Sequence, residues 1–327
     1  MINIVIIGCG QIGSRHLQSL SKMNTGAIIY LVDTSAQSIK TSKERFEEVV
    51  NHNANIKFQI KIREIDQIKD NIDIAIIATN SLNRAILTEK LLSNVTVKNI
   101  IFEKFLFQNR FEYTNIKNLL KEQKVKAWVN QWMSSSIAFV EMAKWFGNDL
   151  QEIKVEGKNW GLACNSVHFL DYLDAITGRG KLTVKENNLD SEILESKRLG
   201  YFELTGSFTI SSESGVLLHL ACVDEKDLDN KKITIKMKGK RRYLEASLSL
   251  GTLKCNYYDD DTESSFKEYA ILLQSQMTGG IIETLYDTNS CILPTYEQSM
   301  KQHLVLFDCF EGIFNKQLKL DGCCPVT

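Results

Sequence analysis

Apolar residues gather in short dense runs in the first part of this chain and alternate with polar ones further on, and that change divides it in two. Residues 2–7, 27–32, 72–78, 97–102 and 125–129 are short, mainly apolar runs, interrupted only by Asn3, Asp73, Lys98, Asn99 and Lys126, and 56–60 is a weaker one. Runs of this kind suit strands buried on both faces of a parallel sheet. Between them lie helical segments: one from about Gln11 with Leu17, Leu20 and Met23 on one side, then 35–50, 83–92 and 113–123. Strands alternating with helices predict a doubly wound α/β sheet of the Rossmann type over residues 1–130. A second, α+β domain is expected over 131–327. It opens with a helix at 137–146 closed by Gly147, a strand at 153–157, and a helix from Ser166 to 177 with Gly178 behind it. From Tyr201 the period becomes two, through Phe202, Leu204, Phe208 and Ile210, then Ile233, Ile235 and Met237, then Leu244, Ala246, Leu248 and Leu250, with a more uniformly apolar strand at 216–222. Turn signals at 212–215, 224–230 and 238–239 separate these into an open, mainly antiparallel sheet covered on one face, with residues 242, 243, 245, 247 and 249 outermost. Two helices finish the chain, at 266–286 and, beyond Pro294, at 296–316, where Met300, Leu304, Phe307, Phe310 and Phe314 form a core stripe. The last helix is free to pack back on the first domain.

Bulk properties narrow the class. A chain of 327 residues exceeds most single cores, and 43% hydrophobic with 24% charged residues is the balance of a soluble globular protein. A net charge of −1 gives no general attraction to nucleic acid or to an anionic membrane. No run approaches the ~20 apolar residues of a transmembrane helix, and with a core strand at the start no signal peptide is expected. The eight cysteines include no C-x-x-C and no Cys/His set at zinc spacing, so they read as reduced thiols of a cytoplasmic protein without a metal site. The acidic run Asp259-Asp260-Asp261 reads as a solvated turn.

Chemistry enters at the first strand. Gly8, Gly10 and Gly13 follow it at G-x-G-x-x-G spacing. Gly8 makes the turn, Gly10 keeps side chains away from a pyrophosphate, and Gly13 lets the next helix approach the strand. The helix start at Gln11 and Ile12 turns free N–H groups and the positive dipole end toward phosphate. Asp33 ends the second strand, twenty residues after Gly13, where a carboxylate accepts the ribose hydroxyls of NAD and repels the 2′-phosphate of NADP. Later strands end in Thr79-Asn80-Ser81, Glu103-Lys104 and Asn130, so the carboxyl edge of the sheet gathers polar groups where such sheets bind ligands. Lys104 beside a nicotinamide can hold a substrate hydroxyl and exchange its proton, with Glu103 orienting it or touching the nicotinamide ribose. On residue type alone it is an ordinary solvated lysine.

The segments from Gly8 to His16, from Ala78 to Ser81 and from Phe102 to Lys104 together resemble the Gfo/Idh/MocA oxidoreductases, the relatives of glucose–fructose oxidoreductase and inositol dehydrogenase. The Glu103-Lys104 pair is similar to that family's Glu-Lys-Pro motif, whose lysine is catalytic; Phe105 stands where proline, often cis, is usual. His168 and Asp171 match the last two members of the family's Asp-x-x-x-His-x-x-Asp pattern, and Cys164 occupies the place of the first aspartate. The resemblance implies Lys104 and His168 as the catalytic pair, with Cys164 and Asn165 beside the substrate and a weakened proton relay. It also implies a second-domain sheet that mediates a homodimer or homotetramer. The segment from Trp160 to Asn165 resembles a branch near bacterial surface-sugar biosynthesis. The expected function is therefore NAD(P)-dependent hydride transfer on a sugar, cyclitol or sugar derivative, nucleotide sugars included. Two alternatives stay open: an NAD-binding regulator or inactive relative, which Cys164 suggests, and hydride transfer to a non-sugar carbonyl or imine.

Overall fold

The computed structural model describes residues 1–50, 56–224, 233–260, 262–319 and 322–327. They form two compact units. Met1–Phe107, Phe111–Asn130 and Leu272–Glu297 make the first; Gln108–Arg110, Gln131–Ile271 and Gln298–Thr327 make the second.

The first stretch of chain runs β1 (Ile2–Ile7), α1 (Gln11–Leu20), β2 (Ala27–Val32), α2 (Ala36–Glu47), β3 (Phe58–Ile62), β4 (Ile72–Ile77), α3 (Arg84–Asn94), β5 (Val97–Phe102), α4 (Arg110–Glu122) and β6 (Lys126–Val129). The six strands lie in the order β3-β2-β1-β4-β5-β6, every neighbouring pair parallel. This is the doubly wound sheet expected from the mainly apolar runs. Both faces are covered, so Ile2, Ile4, Val5 and Ile6 are all fully buried. The strand order reverses between β1 and β4, the switch point beyond which such sheets hold ligands. Leu17 and Leu20 of α1, with Met23 just beyond its end, pack with Ile281, Ile282 and Leu285, which belong to a helix much later in the chain. Each such side chain contributes about 2 kcal/mol by leaving water. The free edge of β6 is met by another returning segment, where Val129 N donates to Pro294 O at 3.0 Å.

The chain continues through α5 (Ile137–Phe146), β7 (Leu150–Lys158), α6 (Leu162–Ile176), β8 (Leu182–Glu195), β9 (Phe202–Ser212), β10 (Leu217–Val223), β11 (Ile233–Gly239), β12 (Arg242–Ser249), β13 (Thr252–Asp259), β14 (Thr262–Ala270), α7 (Gln274–Thr288), which is the late helix of the first unit, and α8 (Tyr296–Leu318). The eight strands lie in the order β14-β13-β12-β11-β7-β10-β9-β8. All pairs are antiparallel except β7 with β10. Alternate residues such as Leu218, Leu220, Ile235, Met237, Leu244 and Ala246 are buried on one face, where α6 packs against β9 and β10.

Several expectations are corrected here. Phe266 is not helical: residues 262–270 form β14, and the helix begins at Gln274. β14 is an edge strand whose Glu263 to Glu268 are exposed, so no buried face imprints a period of two. β8, at the other edge, was hidden for the same reason. β13 was legible in the buried alternation of Leu253, Cys255 and Tyr257 but was not predicted. The sheet is not a simple meander, because β7 lies between β10 and β11. Arg242 is not on the outer face; it shares the parity of Leu244, stacks over Trp145 at 5.5 Å and pairs with Asp259 at 2.7 Å. Most of the 224–230 turn and Asp261 lie outside the described residues.

Candidate active site

The first unit builds its site at the carboxyl edge of the six-stranded sheet. Gly8 adopts φ +93°, and a Cβ there would meet Ala78 C and Thr79 N at 2.8 Å. A Cβ on Gly13 would lie 1.8 Å from Gly8 O, so the turn and α1 touch backbone to backbone. At Gly10 a Cβ would meet nothing within 4 Å. Gly10 is also the N-cap of α1, and no side chain caps it. The residues therefore offer open space and free helix N–H groups of Gln11 and Ile12, which fit a dinucleotide pyrophosphate. The Asp33 carboxylate is held in place from two sides: Cys9 N donates to Oδ2 at 2.6 Å and Ser35 N to Oδ1 at 2.7 Å. Thr79 Oγ1, at the end of β4, is buried with no hydrogen-bond partner among the described residues, as a ligand-facing hydroxyl would be. Asn80 is exposed and Ser81 fully buried.

Glu103 lies inside. It is 7% exposed, and Oε1 accepts from His16 Nε2 at 2.8 Å and from Asn130 Nδ2 at 2.5 Å. Burial pushes the carboxyl up, but the His16 imidazole, the Asn130 amide and the Arg84 guanidinium outweigh burial and hold it below the usual carboxylate range. His16 Nδ1 meets Thr278 Oγ1 at 2.8 Å, and Asn130 Nδ2 also donates to Gln274 Oε1 at 2.6 Å. α1, β5, the end of β6 and α7 are thus joined through one buried polar knot. Glu103 and Asn130, expected among the cofactor ligands, are members of that knot. Lys104 beside them is half-buried, and the Lys104–Phe105 peptide is cis although residue 105 is not proline.

Sequence reading missed Arg84. It is 1% exposed, and its guanidinium donates to the carbonyls of Thr79, Phe105 and Leu106. Gln274 and Thr278 were missed too, because nothing local marks a late helix as a partner of His16.

In the second unit α6 starts at Leu162, a turn earlier than expected, with Gly161 as its N-cap at φ +78°. Glu203 of β9 supplies the capping carboxylate, accepting from Ala163 N at 2.9 Å. His168 is therefore the seventh residue of the helix rather than a member of its first turn. It is 8% exposed, with the Trp132 ring 6.0 Å away. Cys164, one turn earlier on the same face, points its thiol at Gly161 O (3.6 Å). Asn165 Nδ2 donates to Trp160 O at 2.7 Å. Asp171 is fully buried and turns into a polar cluster: Arg179 at 3.2 Å and Gln302 at 3.2 Å reach Asp171 Oδ1, and Lys301 reaches the equally buried Asp174 at 2.7 Å. Burial raises the Asp171 carboxyl above its usual value despite Arg179. His303 Nδ1 lies 2.8 Å from Ser299 O, one turn earlier in α8. Among the described residues there is no metal-binding cluster of His, Cys, Asp and Glu, and no helix is long and apolar enough to cross a membrane.

Comparison with known proteins fits this geometry. Residues 2–131 match the model of an oxidoreductase family, Gfo/Idh/MocA, with an NAD-binding Rossmann fold. No curated protein matches the chain in sequence. A 3-ketoreductase from Actinomadura kijaniata, crystallised as a mutant with TDP-benzene and NADP, is 13% identical at a TM-score of 0.73, covering 95% of this chain and 97% of its own. An oxidoreductase from Agrobacterium radiobacter, in complex with NAD+, L-tartaric acid and magnesium, is 13% identical at a TM-score of 0.72, over 97% of both chains. A UDP-N-acetylglucosamine 3-dehydrogenase from Acidithiobacillus ferrooxidans is 12% identical at a TM-score of 0.67, over 94% and 96%. At such identities the likeness is one of fold.

Proposed function

Because residues 2–131 belong to the Gfo/Idh/MocA oxidoreductase family with its NAD-binding Rossmann fold, we propose that this protein moves a hydride between nicotinamide and a hydroxyl or carbonyl carbon of a sugar or sugar derivative, nucleotide sugars included. One observation carries the reading: open space over Gly10, the anchored Asp33 carboxylate and Lys104 end β1, β2 and β5 on one sheet edge. The sugar derivative is suggested by the UDP-N-acetylglucosamine 3-dehydrogenase among the structural relatives and by the TDP-benzene bound to the 3-ketoreductase.

In this reading Gly8, Gly10, Gln11, Ile12 and Gly13 hold the pyrophosphate, Asp33 the adenosine ribose, and Thr79, Asn80 and Ser81 line the path toward the nicotinamide. The bound nicotinamide supplies or receives the hydride. Lys104 Nζ holds the reacting oxygen of the substrate and exchanges its proton. His168 is the second group for that proton. Cys164 and Asn165, one turn before it, act as neutral neighbours of the substrate. Glu103 and Asn130 act through the buried knot with His16, by fixing the start of the Lys104 turn. The protein is read as a homodimer or homotetramer, with no nucleic-acid or membrane partner.

The test is calorimetry of NADH against NADPH, then a panel of sugars, nucleotide sugars, keto acids and imines followed at the nicotinamide absorbance. NADH binding with turnover of a sugar or nucleotide sugar is expected. Lys104→Ala should then lower kcat by about 10²–10⁴-fold, and Cys164→Asp should shift the pH profile of kcat/KM. Tight NADH binding with no turnover on any member would favour the regulatory reading; turnover of the keto acids or imines alone would favour the other alternative.

A further inference from the structure

Arg84 is the first residue of α3, and two features of its position make it costly. A guanidinium removed from water must have its charge met by other groups. A cation at a helix N-terminus also faces the positive end of the helix dipole, so α3 itself is not served by it. Yet Arg84 is 1% exposed and lies at that end of the helix. What meets it is specific. Nη1 donates to Phe105 O and to Leu106 O, the latter at 2.9 Å, and Nη2 donates to Thr79 O. These carbonyls belong to the two loops that leave β4 and β5, the loops that carry Thr79–Ser81 and Lys104. A planar fork of donors spans two backbone segments in a way a single ammonium group does not.

We propose that Arg84 is a positioning residue for Lys104: by holding the carbonyls of the two residues that follow Lys104 against the Thr79 turn, it sets where the Lys104 ammonium leaves the sheet edge. The inference rests on the reading that Lys104 serves the reaction. Arg84 touches no reacting atom in it and acts through the backbone carbonyls it holds.

Two readouts test it on the full-length protein. The first needs no substrate. Trace acetylation with acetic anhydride, read by peptide mass spectrometry, reports the reactivity of each lysine. Arg84→Met should change the Lys104 rate by about 5-fold or more, and leave the exposed Lys40 and Lys254 within about 2-fold. Arg84→Lys, which keeps a charge and most of the volume, should change it too; it replaces Arg84→Met if that variant does not fold by circular dichroism. An unchanged Lys104 rate in a folded variant overturns the proposal. The second readout is a double-mutant cycle on the sugar or nucleotide sugar turned over best. Arg84→Met alone should lower kcat by about 100-fold with NADH affinity within about 3-fold, and should add less than about 3-fold in the Lys104→Ala background. Losses that simply multiply would sink the positioning role while leaving Lys104 its function. A Lys104→Ala protein with native turnover would instead sink the assignment of Lys104, and the inference with it.

Discussion

At the scale of single residues, the three glycines of the first turn differ in what they protect. Gly13 has backbone 1.8 Å from where a Cβ would go, whereas Gly10 has nothing within 4 Å. Gly13→Ala should therefore disrupt the fold of the first unit, seen as loss of the cooperative thermal transition. Gly10→Ala should leave the melting temperature within about 2 °C and weaken NADH binding by about 10-fold or more, read by calorimetry. If Gly10→Ala binds NADH normally, the pyrophosphate does not lie there. Asp33→Ala should narrow the gap between NADH and NADPH affinity, since it removes the carboxylate that the Cys9 and Ser35 amides now hold; an unchanged ratio would count against the ribose assignment. Glu103 makes a pH prediction. Its carboxyl is held below the usual range in the folded protein, so the stabilisation is complete above the unfolded value of ~4.3 and is lost as pH falls through the native one. Glu103→Gln should flatten the acid limb of a urea-denaturation series run between about pH 3 and pH 6.

Among the elements, α6 shows how much of a helix serves the core rather than chemistry. Asp171 and Asp174 are both fully buried, and Arg179 and Lys301 supply the opposing charge. Arg179→Met leaves those carboxylates under-compensated, and should cost about 2 kcal/mol at pH 7 in urea unfolding, less than a fully buried pair because Arg179 is partly exposed. The Asp171 part of that loss should ease toward acid pH, since burial already raises this carboxyl and protonation removes the uncompensated charge. The i, i+3 spacing of His168 and Asp171 was legible, but their separate environments were not: spacing places two residues near one face, and the neighbouring elements decide which is buried with a cation. Strands followed the same division. β1, β4 and β5 were readable because burial on both faces demands continuous apolar runs. β8 and β14 were not, since an edge strand is held by its ladder and needs no apolar face.

For the molecule as a whole, ligand linkage offers a check that needs no substrate. NADH at a hundred times its Kd stabilises whatever binds it by about 2.7 kcal/mol. Hydrogen exchange with and without NADH should show that protection first at residues 8–13, 33–35, 79–81 and 103–106. Protection centred on β7–β14 instead would place the dinucleotide elsewhere. Sequence by itself determined the doubly wound sheet, the glycine turn, Asp33 and the strand-end positions of Thr79, Lys104 and Asn130, because each follows from local periodicity and from where a strand must stop. Only the tertiary structure decided that Glu103 and Asn130 look inward to His16, that Gln274 and Thr278 close that knot from far along the chain, and that Arg84 holds the two loops together. Such contacts span from about twenty to more than two hundred and fifty residues of sequence. A buried polar group must find its partners in three dimensions, and no local pattern records which ones it finds.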